Sequence, residues 1–294
     1  MNDLRIGARL SNYGEFSRRG GLSTAKDFER AGFDSLWCAD HIVMPSSIES
    51  TYPFSPDGRF VSRPDIDWFE VVVTMAMIAA VTQRCEIGSG VLVAPLREPL
   101  LLAKQLATLD ALAGGRLVLG VGSGWLNEEF DALGIPFESR GERLDESIHV
   151  LRKCWTGSVE PFEGAHFRVP RKIFCYPTPV RVPPVLVGGM SRAAVQRAGR
   201  IGDGWYALQS PDQIDIGELA SAIMSARGAA TAASRDPKDL RFIISLSGPG
   251  DEQGLAELLP KLREVGFNDV VVDGWGPDRD PVAHLARLRA VLSK

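Results

Sequence analysis

The sequence predicts a closed (β/α)8 barrel of the TIM type, a single α/β domain. Three observations lead there. Strand-like and helix-like segments alternate from end to end, in eight pairs. Such alternation implies parallel strands joined by helical crossovers. The strands read as continuous apolar runs, the pattern of strands covered on both faces. At 294 residues the chain has the usual length of one such domain, and no linker or internal repeat divides residues 1–294. A doubly wound open sheet is the alternative.

Each element has its own signal. Strand one is Leu4–Ser11, and helix one runs from Ser23 to Ala31, closed by Gly32. Strand two is Phe33–Ala39, followed by a long loop rich in proline and glycine, Asp40–Ile66. Helix two is Asp67–Val81, with Phe69, Val72, Val73, Ala76, Met77 and Ala80 at helical spacing. Strand three is Cys85–Val93. Helix three, Pro99–Leu112, starts on a proline at a tolerated first-turn position. Strand four is Leu117–Val121, and helix four Arg140–Trp155. An irregular, proline-bearing insertion is expected at Thr156–Val182. Strand five is Pro184–Val187, helix five Ser191–Ile201, strand six Gly204–Leu208 and helix six Asp212–Ala230. Strand seven is Arg241–Ser247, helix seven Glu252–Val265, strand eight Asp269–Asp273 and helix eight Pro281–Leu292.

Composition narrows the function. Hydrophobic residues make up 45% of the chain, enough for a full core. The net charge is −4 with both signs dispersed, so no basic face points to nucleic acid. No apolar run reaches membrane-spanning length, and Met1–Ile6 carries no signal-peptide core. Cys38, Cys85, Cys154 and Cys175 form no Cys-x-x-Cys pair, and His41, His149, His166 and His284 are scattered. A cytoplasmic protein with buried free thiols and no metal site is the expectation.

The most informative segment is Gly115–Phe130. Strand four opens into a glycine cluster, Gly120, Gly122 and Gly124, followed by Trp125. A loop so poor in side chains lets a flat or anionic group approach the backbone; tight packing is the plainer account. A Rossmann loop fits poorly, because Trp125 stands where the third glycine belongs, and a helix follows where the acidic strand end should be. In a barrel the working face lies at the C-terminal strand ends. That selects Ser11–Gly14, Cys38–His41, Gly90–Leu92, Gly122–Trp125, Gly188–Ser191, Trp205–Ala207 and Asp273-Gly274-Trp275. Glycine, aromatic and polar residues thus converge on one rim, a setting for a flat ring.

These segments resemble the luciferase-like monooxygenase superfamily, most closely its branch that uses the deazaflavin coenzyme F420. The resemblance rests on Leu36-Trp-Cys-Ala-Asp-His41, Ile87-Gly-Ser-Gly-Val-Leu92, Ala107-Thr-Leu-Asp110 with Gly114-Gly-Arg-Leu117, and Gly120-Val-Gly-Ser-Gly-Trp125. Glu128-Glu-Phe130, Val187-Gly-Gly189 and Gly202-Asp-Gly-Trp205 complete the ordered set. It implies hydride transfer between F420 and a small organic substrate, and a homodimer. The alternatives are an FMN-dependent monooxygenase using reduced flavin and O2, and a non-catalytic flavin-binding member.

The resemblance also implies site residues. It places Asp40 and His41 beside the reactive ring, with His41 suited to move a proton near neutral pH; a polar turn with His41 exposed is the plainer reading. It implies a bulge with a non-proline cis peptide at Gly90-Val91 behind the ring. It puts the cofactor phosphate at Gly188-Gly189-Met190-Ser191, a glycine lead-in to a helix N-terminus. Gly122, Gly124 and Trp125 would line the ring or substrate. Trp125 replaces a glutamate acid found in some deazaflavin dehydrogenases, which speaks against sugar-phosphate oxidation. Glu128 then stands either as a substitute acid or as a first-turn helix residue. The loops Asp40–Ile66 and Thr156–Val182 are candidate lids.

Overall fold

The computed structural model describes residues 4–14, 20–55, 57–60, 63, 65–247, 252–274 and 279–292. Trp275 lies outside them. In chain order the elements begin β1 Arg5–Arg9, α1 Gly21–Ala31, β2 Ser35–Cys38, α2 Val71–Val81, β3 Glu86–Val93, α3 Pro99–Ala113 and β4 Leu117–Gly122. Next come α4 Asn127–Ala132, α5 Arg140–Cys154 and four two-residue strands, β5 Ser158–Val159, β6 Phe162–Glu163, β7 Arg168–Val169 and β8 Ile173–Phe174. The chain ends with β9 Val185–Gly188, α6 Arg192–Ile201, β10 Gly204–Gln209, α7 Ile216–Ala232, β11 Arg241–Leu246, α8 Glu252–Val265, β12 Asp269–Asp273 and α9 Pro281–Leu292.

Eight strands close into a barrel in the order β1-β12-β11-β10-β9-β4-β3-β2. All eight pairings are parallel. The expected (β/α)8 barrel is therefore the fold. Its interior is packed, with Trp37, Val118, Leu186, Tyr206, Ile243 and Val271 forming one buried cluster. A second, larger cluster fills the space between strands and helices. All four cysteines are buried free thiols. Among the described residues no helix is long and apolar enough to cross a membrane.

Several boundaries differ from the sequence reading, among them β1, α1 and β2, and three departures have a clear local reason. Helix two begins at Val71 rather than Asp67, because the Glu70 carboxylate caps it by accepting from Val73 N at 2.8 Å. Helix six begins at Ile216 rather than Asp212; Asp215 is its cap, and Asp212 lies in a preceding 3-10 turn. The stretch 156–182 is not irregular throughout. It folds as nested antiparallel ribbons, β5 with β8 and β6 with β7. Its tip is fixed by Glu146 of α5, whose carboxylate accepts from Ala165 N, His166 N and Phe167 N at 2.7–3.0 Å.

The N-terminal ends of the strands are closed by charge. Arg241 of β11 holds Asp269 of β12 through two hydrogen bonds, 2.8 and 2.7 Å, and Glu86 of β3 at 2.8 Å. Arg5 of β1 adds a contact to Glu86 at 2.9 Å. Burial alone would raise the Glu86 carboxyl, yet Arg241 and Arg5 bring it below its ordinary 4.5. This face of a barrel serves stability. Removing one partner of a buried pair leaves a charge uncompensated, at a cost of about 3 kcal/mol or more. Arg241→Met is therefore expected to lower the urea-unfolding free energy by about 3 kcal/mol at pH 7. The Glu86 contribution is present above its unfolded-state value of 4.5 and fades as pH falls below it. The deficit of the variant should accordingly narrow on acidification below that point; a deficit that stays constant down to pH 3 would show that the carboxylates are not its source.

Candidate active site

The C-terminal strand ends surround a cavity of about 770 Å3. The candidate site residues line it: Asp40 and His41 after β2, Gly90 and Val91 in β3, Gly122 at the end of β4 with Gly124 and Trp125 after it, and Gly188 at the end of β9 with Gly189, Met190 and Ser191 after it. Ser11, Asn12, Gly14, Leu92, Trp205, Ala207, Asp273 and Gly274, also expected at this rim, are not among its lining residues. Of the two candidate lids, the 40–66 loop contributes Thr51, Tyr52, Pro53, Phe54 and Phe60 to the walls. The 156–182 ribbons contribute nothing, so they are not a cover for this cavity.

His41 is buried rather than exposed. Its Nδ1 lies 2.9 Å from Oε2 of Glu129, itself buried, in α4. The other carboxylate oxygen of Glu129 accepts from Ile42 N at 2.6 Å and Val43 N at 3.2 Å. A carboxylate at Nδ1 favours the tautomer that carries its proton there, which leaves Nε2 as an acceptor. Aromatic rings fix the imidazole plane: Trp68 meets it edge-on at 4.7 Å, and Phe60 and Trp125 stand at 5.7 and 6.0 Å. Sequence reasoning singled out His41 but gave Glu129 no role. Only the fold brings together two residues so distant in the chain.

Asp40 faces a different task from the one expected of it. Its carboxylate accepts two hydrogen bonds from Arg97, 2.7 and 2.8 Å, and one from Val93 N at 2.9 Å. Arg97 also holds Glu70 at 2.9 Å. Burial opposes the Arg97 charge, and the two carboxylates more than offset it, raising the guanidinium above its ordinary value. A carboxylate so fully engaged ties the exit of β2 to the end of β3.

The expected bulge is present. The β3–β4 register shifts between Ser89 and Leu92, and the Gly90-Val91 peptide is cis. The glycines around it have a reason the sequence did not show. A Cβ on Gly122 would stand 2.7 Å from Val91 Cγ2, one on Gly188 2.5 Å from Val91 Cγ1, and one on Gly120 would strike the Ser89 carbonyl oxygen. The bare backbone of β4 is thus filled by the bulge itself. Gly122 both lines the cavity and seats Val91, which lines the cavity beside it.

The β9 loop is also more occupied than its sequence implies. Gly189 has φ +119°, its N–H donates to Tyr206 O at 3.3 Å, and its carbonyl accepts from Trp205 Nε1 at 2.7 Å. The Ser191 hydroxyl caps α6 by accepting from Ala194 N at 3.2 Å. First-turn amides of a helix have no intrahelical acceptor, and that of Ala194 is taken by Ser191, which leaves those of Arg192 and Ala193 as donors at this end of α6. Arg192 is exposed, but Arg140, at the start of α5, lines the cavity. Arg140 is held 3.7 Å over the Phe137 ring. Its neighbour Gly141 accepts from Arg197 of α6 at 3.4 Å, which puts this cation on the α6 side.

Trp125 packs against Tyr52 at 5.0 Å and Phe60 at 5.2 Å, and Tyr13 stacks on Trp68 at 4.6 Å. Glu128 is not a substitute acid. Its carboxylate accepts from Glu49 N, Ser50 N and Ser50 Oγ at 2.6–2.9 Å. Burial pushes this carboxyl up, but those hydrogen bonds dominate and hold it at about 2. Among the described residues no three His, Cys, Asp or Glu side chains cluster as metal ligands.

Comparison with known proteins follows from this geometry. An uncharacterized protein of Mycobacterium tuberculosis is 35% identical over 267 residues, covering 89% of this chain and 88% of that one. The F420-dependent hydroxymycolic acid dehydrogenase of Mycobacterium tuberculosis is 29% identical over 294 residues, with 92% and 75% coverage. Among solved structures, an F420-dependent secondary alcohol dehydrogenase in complex with an F420-acetone adduct superposes with a TM-score of 0.77 at 18% identity, covering 98% of this chain and 100% of that one. The family model of luciferase-like monooxygenases matches residues 5–248. The chain belongs to the luciferase-like monooxygenase family.

Proposed function

We propose that this protein is an F420-dependent oxidoreductase acting on a small organic substrate. The observation that carries the reading is the His41–Glu129 pair, a proton-transfer group buried in the aromatic wall of the cavity. The residues present fit the cofactor. The cavity lies within the usual 300–1,000 Å3 range of cofactor sites. Val91 on its bulge would back the ring, the first-turn amides of α6 with Arg140 would hold the phosphate, and Met190 would flank it. The likeness to a named F420-dependent dehydrogenase supports the choice of deazaflavin. When bound, the deazaflavin supplies or takes up a hydride at its C5.

The chain's own residues do the rest. His41 accepts a substrate hydroxyl proton at Nε2, or returns it in the reverse direction. Glu129 orients the ring and stabilises the imidazolium, while Asp40 and Arg97 hold the backbone from which His41 projects. Trp125, Tyr52 and Phe60 exclude water and bound the substrate. FMN with O2 is the second reading, supported by the family's name.

Thermal melting with F420 and FMN added in parallel separates these readings. F420 is expected to raise the melting temperature and to bind at least about tenfold more tightly than FMN, a difference of about 1.4 kcal/mol. Tighter FMN binding would favour the monooxygenase, and no binding of either a non-catalytic protein. Once a panel of small alcohols and aldehydes yields a turnover assay, His41→Gln should lower kcat by about 100-fold or more. Glu129→Gln should lower it by about tenfold. Both should keep F420 affinity, and unchanged turnover in His41→Gln would remove His41 from the chemistry.

We also propose a homodimer. Val73 and Met77 on α2 are 63% and 49% exposed, and Leu101 on the adjoining α3 is 59% exposed. An apolar face of this kind marks an interaction surface. Light scattering should report a dimer, and Val73→Lys with Met77→Lys should convert it to monomer.

A further inference from the structure

The cavity contains a cation for which the cofactor reading has no use. Arg9 ends β1 and lines the cavity. Its Nη2 donates to Ser245 Oγ at 3.3 Å and to the Leu246 carbonyl. Among the described residues, Nε and Nη1 have no hydrogen-bond partner, and no carboxylate lies within ion-pairing distance. Arg97, by contrast, is answered by Asp40 and Glu70. Ser245, Tyr52 and Tyr206 line the cavity with Arg9, and Asp273 is its register partner on β12. Tyr52 and Tyr206 are near enough for the cation to offset part of the upward push that burial gives their hydroxyls. The two nitrogens left open on this half-buried guanidinium are donors available to an anion in the cavity.

Around the barrel, β9 lies four strands from β1 in either direction, through β12, β11 and β10 or through β2, β3 and β4. The Arg9 guanidinium reaches over β12 to Ser245 and Leu246 of β11, two strands from β9, while Arg140 lies on the α6 side. The Arg9 backbone pairs with Trp37 of β2, the strand that leads into His41, and both Arg9 and His41 line the one cavity.

We propose that Arg9, buttressed by Ser245, binds the carboxylate of the substrate, so that the substrate is a small carboxylate with an apolar body. The apolar body meets Tyr13, Tyr52, Phe60, Trp68 and Trp125, and the reacting carbon lies toward His41. The assignment of this ligand as the substrate rests on the oxidoreductase reading; the anion subsite itself does not.

The test uses benzoate and its neutral counterpart benzamide, titrated into the ligand-free protein and followed by tryptophan fluorescence. Benzoate should bind at least about tenfold more tightly, the discrimination that hydrogen bonds to a charged group provide. Arg9→Met should abolish that preference, Arg9→Lys should keep part of it, and melting curves of both confirm folding. Equal binding of the two probes to the wild type, or a preference that survives in Arg9→Met, would overturn the proposal. F420 affinity, measured in parallel, should stay within about threefold in Arg9→Met, since its phosphate lies elsewhere. Loss of F420 affinity with the benzoate preference intact would assign the cation to the cofactor instead. A wild type that prefers benzoate but binds no F420 would keep the subsite and sink the functional reading alone.

Discussion

The contact on which the site depends is the seating of Val91 between two strands that present no side chain to it. Interiors are close-packed, so a side chain turned into the barrel mouth needs an equal volume vacated elsewhere. Gly122 of β4 and Gly188 of β9 vacate it, and Gly120 admits the Ser89 carbonyl. With that space open, β3 carries extra length past β4 before pairing resumes at Leu92 and Val93. The shift delivers Val93 N to Asp40, the residue before His41. A packing event between β3, β4 and β9 thereby fixes the position from which the imidazole projects. A side chain at Gly122 would disturb His41 without touching it.

Charge is divided between the two ends of the barrel according to use. At the N-terminal ends Glu86 and Asp269 each meet arginines, and the network joins β1, β3, β11 and β12. Such a cluster contributes rigidity and offers nothing to a ligand. At the mouth the division is uneven. Asp40, Arg97 and Glu70 satisfy one another, and Glu129 is matched to His41 and two amides. Arg9 and Arg140 meet no carboxylate among the described residues. Two half-buried cations left open at separate places around one cavity suit a ligand set with more than one anionic group.

The barrel was legible because its signals are long and repeated. Eight apolar strands, each with an amphipathic or apolar helix, leave few other topologies. Short elements were not. The two-residue strands of the 156–182 ribbons show no periodicity, and their order comes from Glu146 on a different element. At the site, residue types were legible and partners were not. His41 and Asp40 sit side by side in sequence, yet one opens onto the cavity and the other is closed off by Arg97, 57 residues away. The glycine cluster was read as space for a ligand because sequence shows a missing side chain but not what fills the gap. Arg9 did leave a trace: an arginine inside the apolar run Ile6–Leu10 is costly in a barrel strand unless it has work at the mouth.

Glu128 and Glu129 show how one short helix divides two tasks. Successive helical residues point about 100° apart, so α4 can present one carboxylate to His41 and the other to the wall loop. Glu129 holds the imidazole and the amides of residues 42 and 43, where the loop begins. Glu128 holds the amides of residues 49 and 50, just before Tyr52 and Phe54 enter the cavity wall. The loop is therefore fastened at two points to the helix that follows β4, and its aromatic segment is carried between that helix and the bridge from Tyr13 to Trp68. Orientation of the proton-transfer group and closure of the wall around it depend on the same six-residue element. Displacing α4 would loosen both at once, which links the position of His41 to the exclusion of water from the cavity.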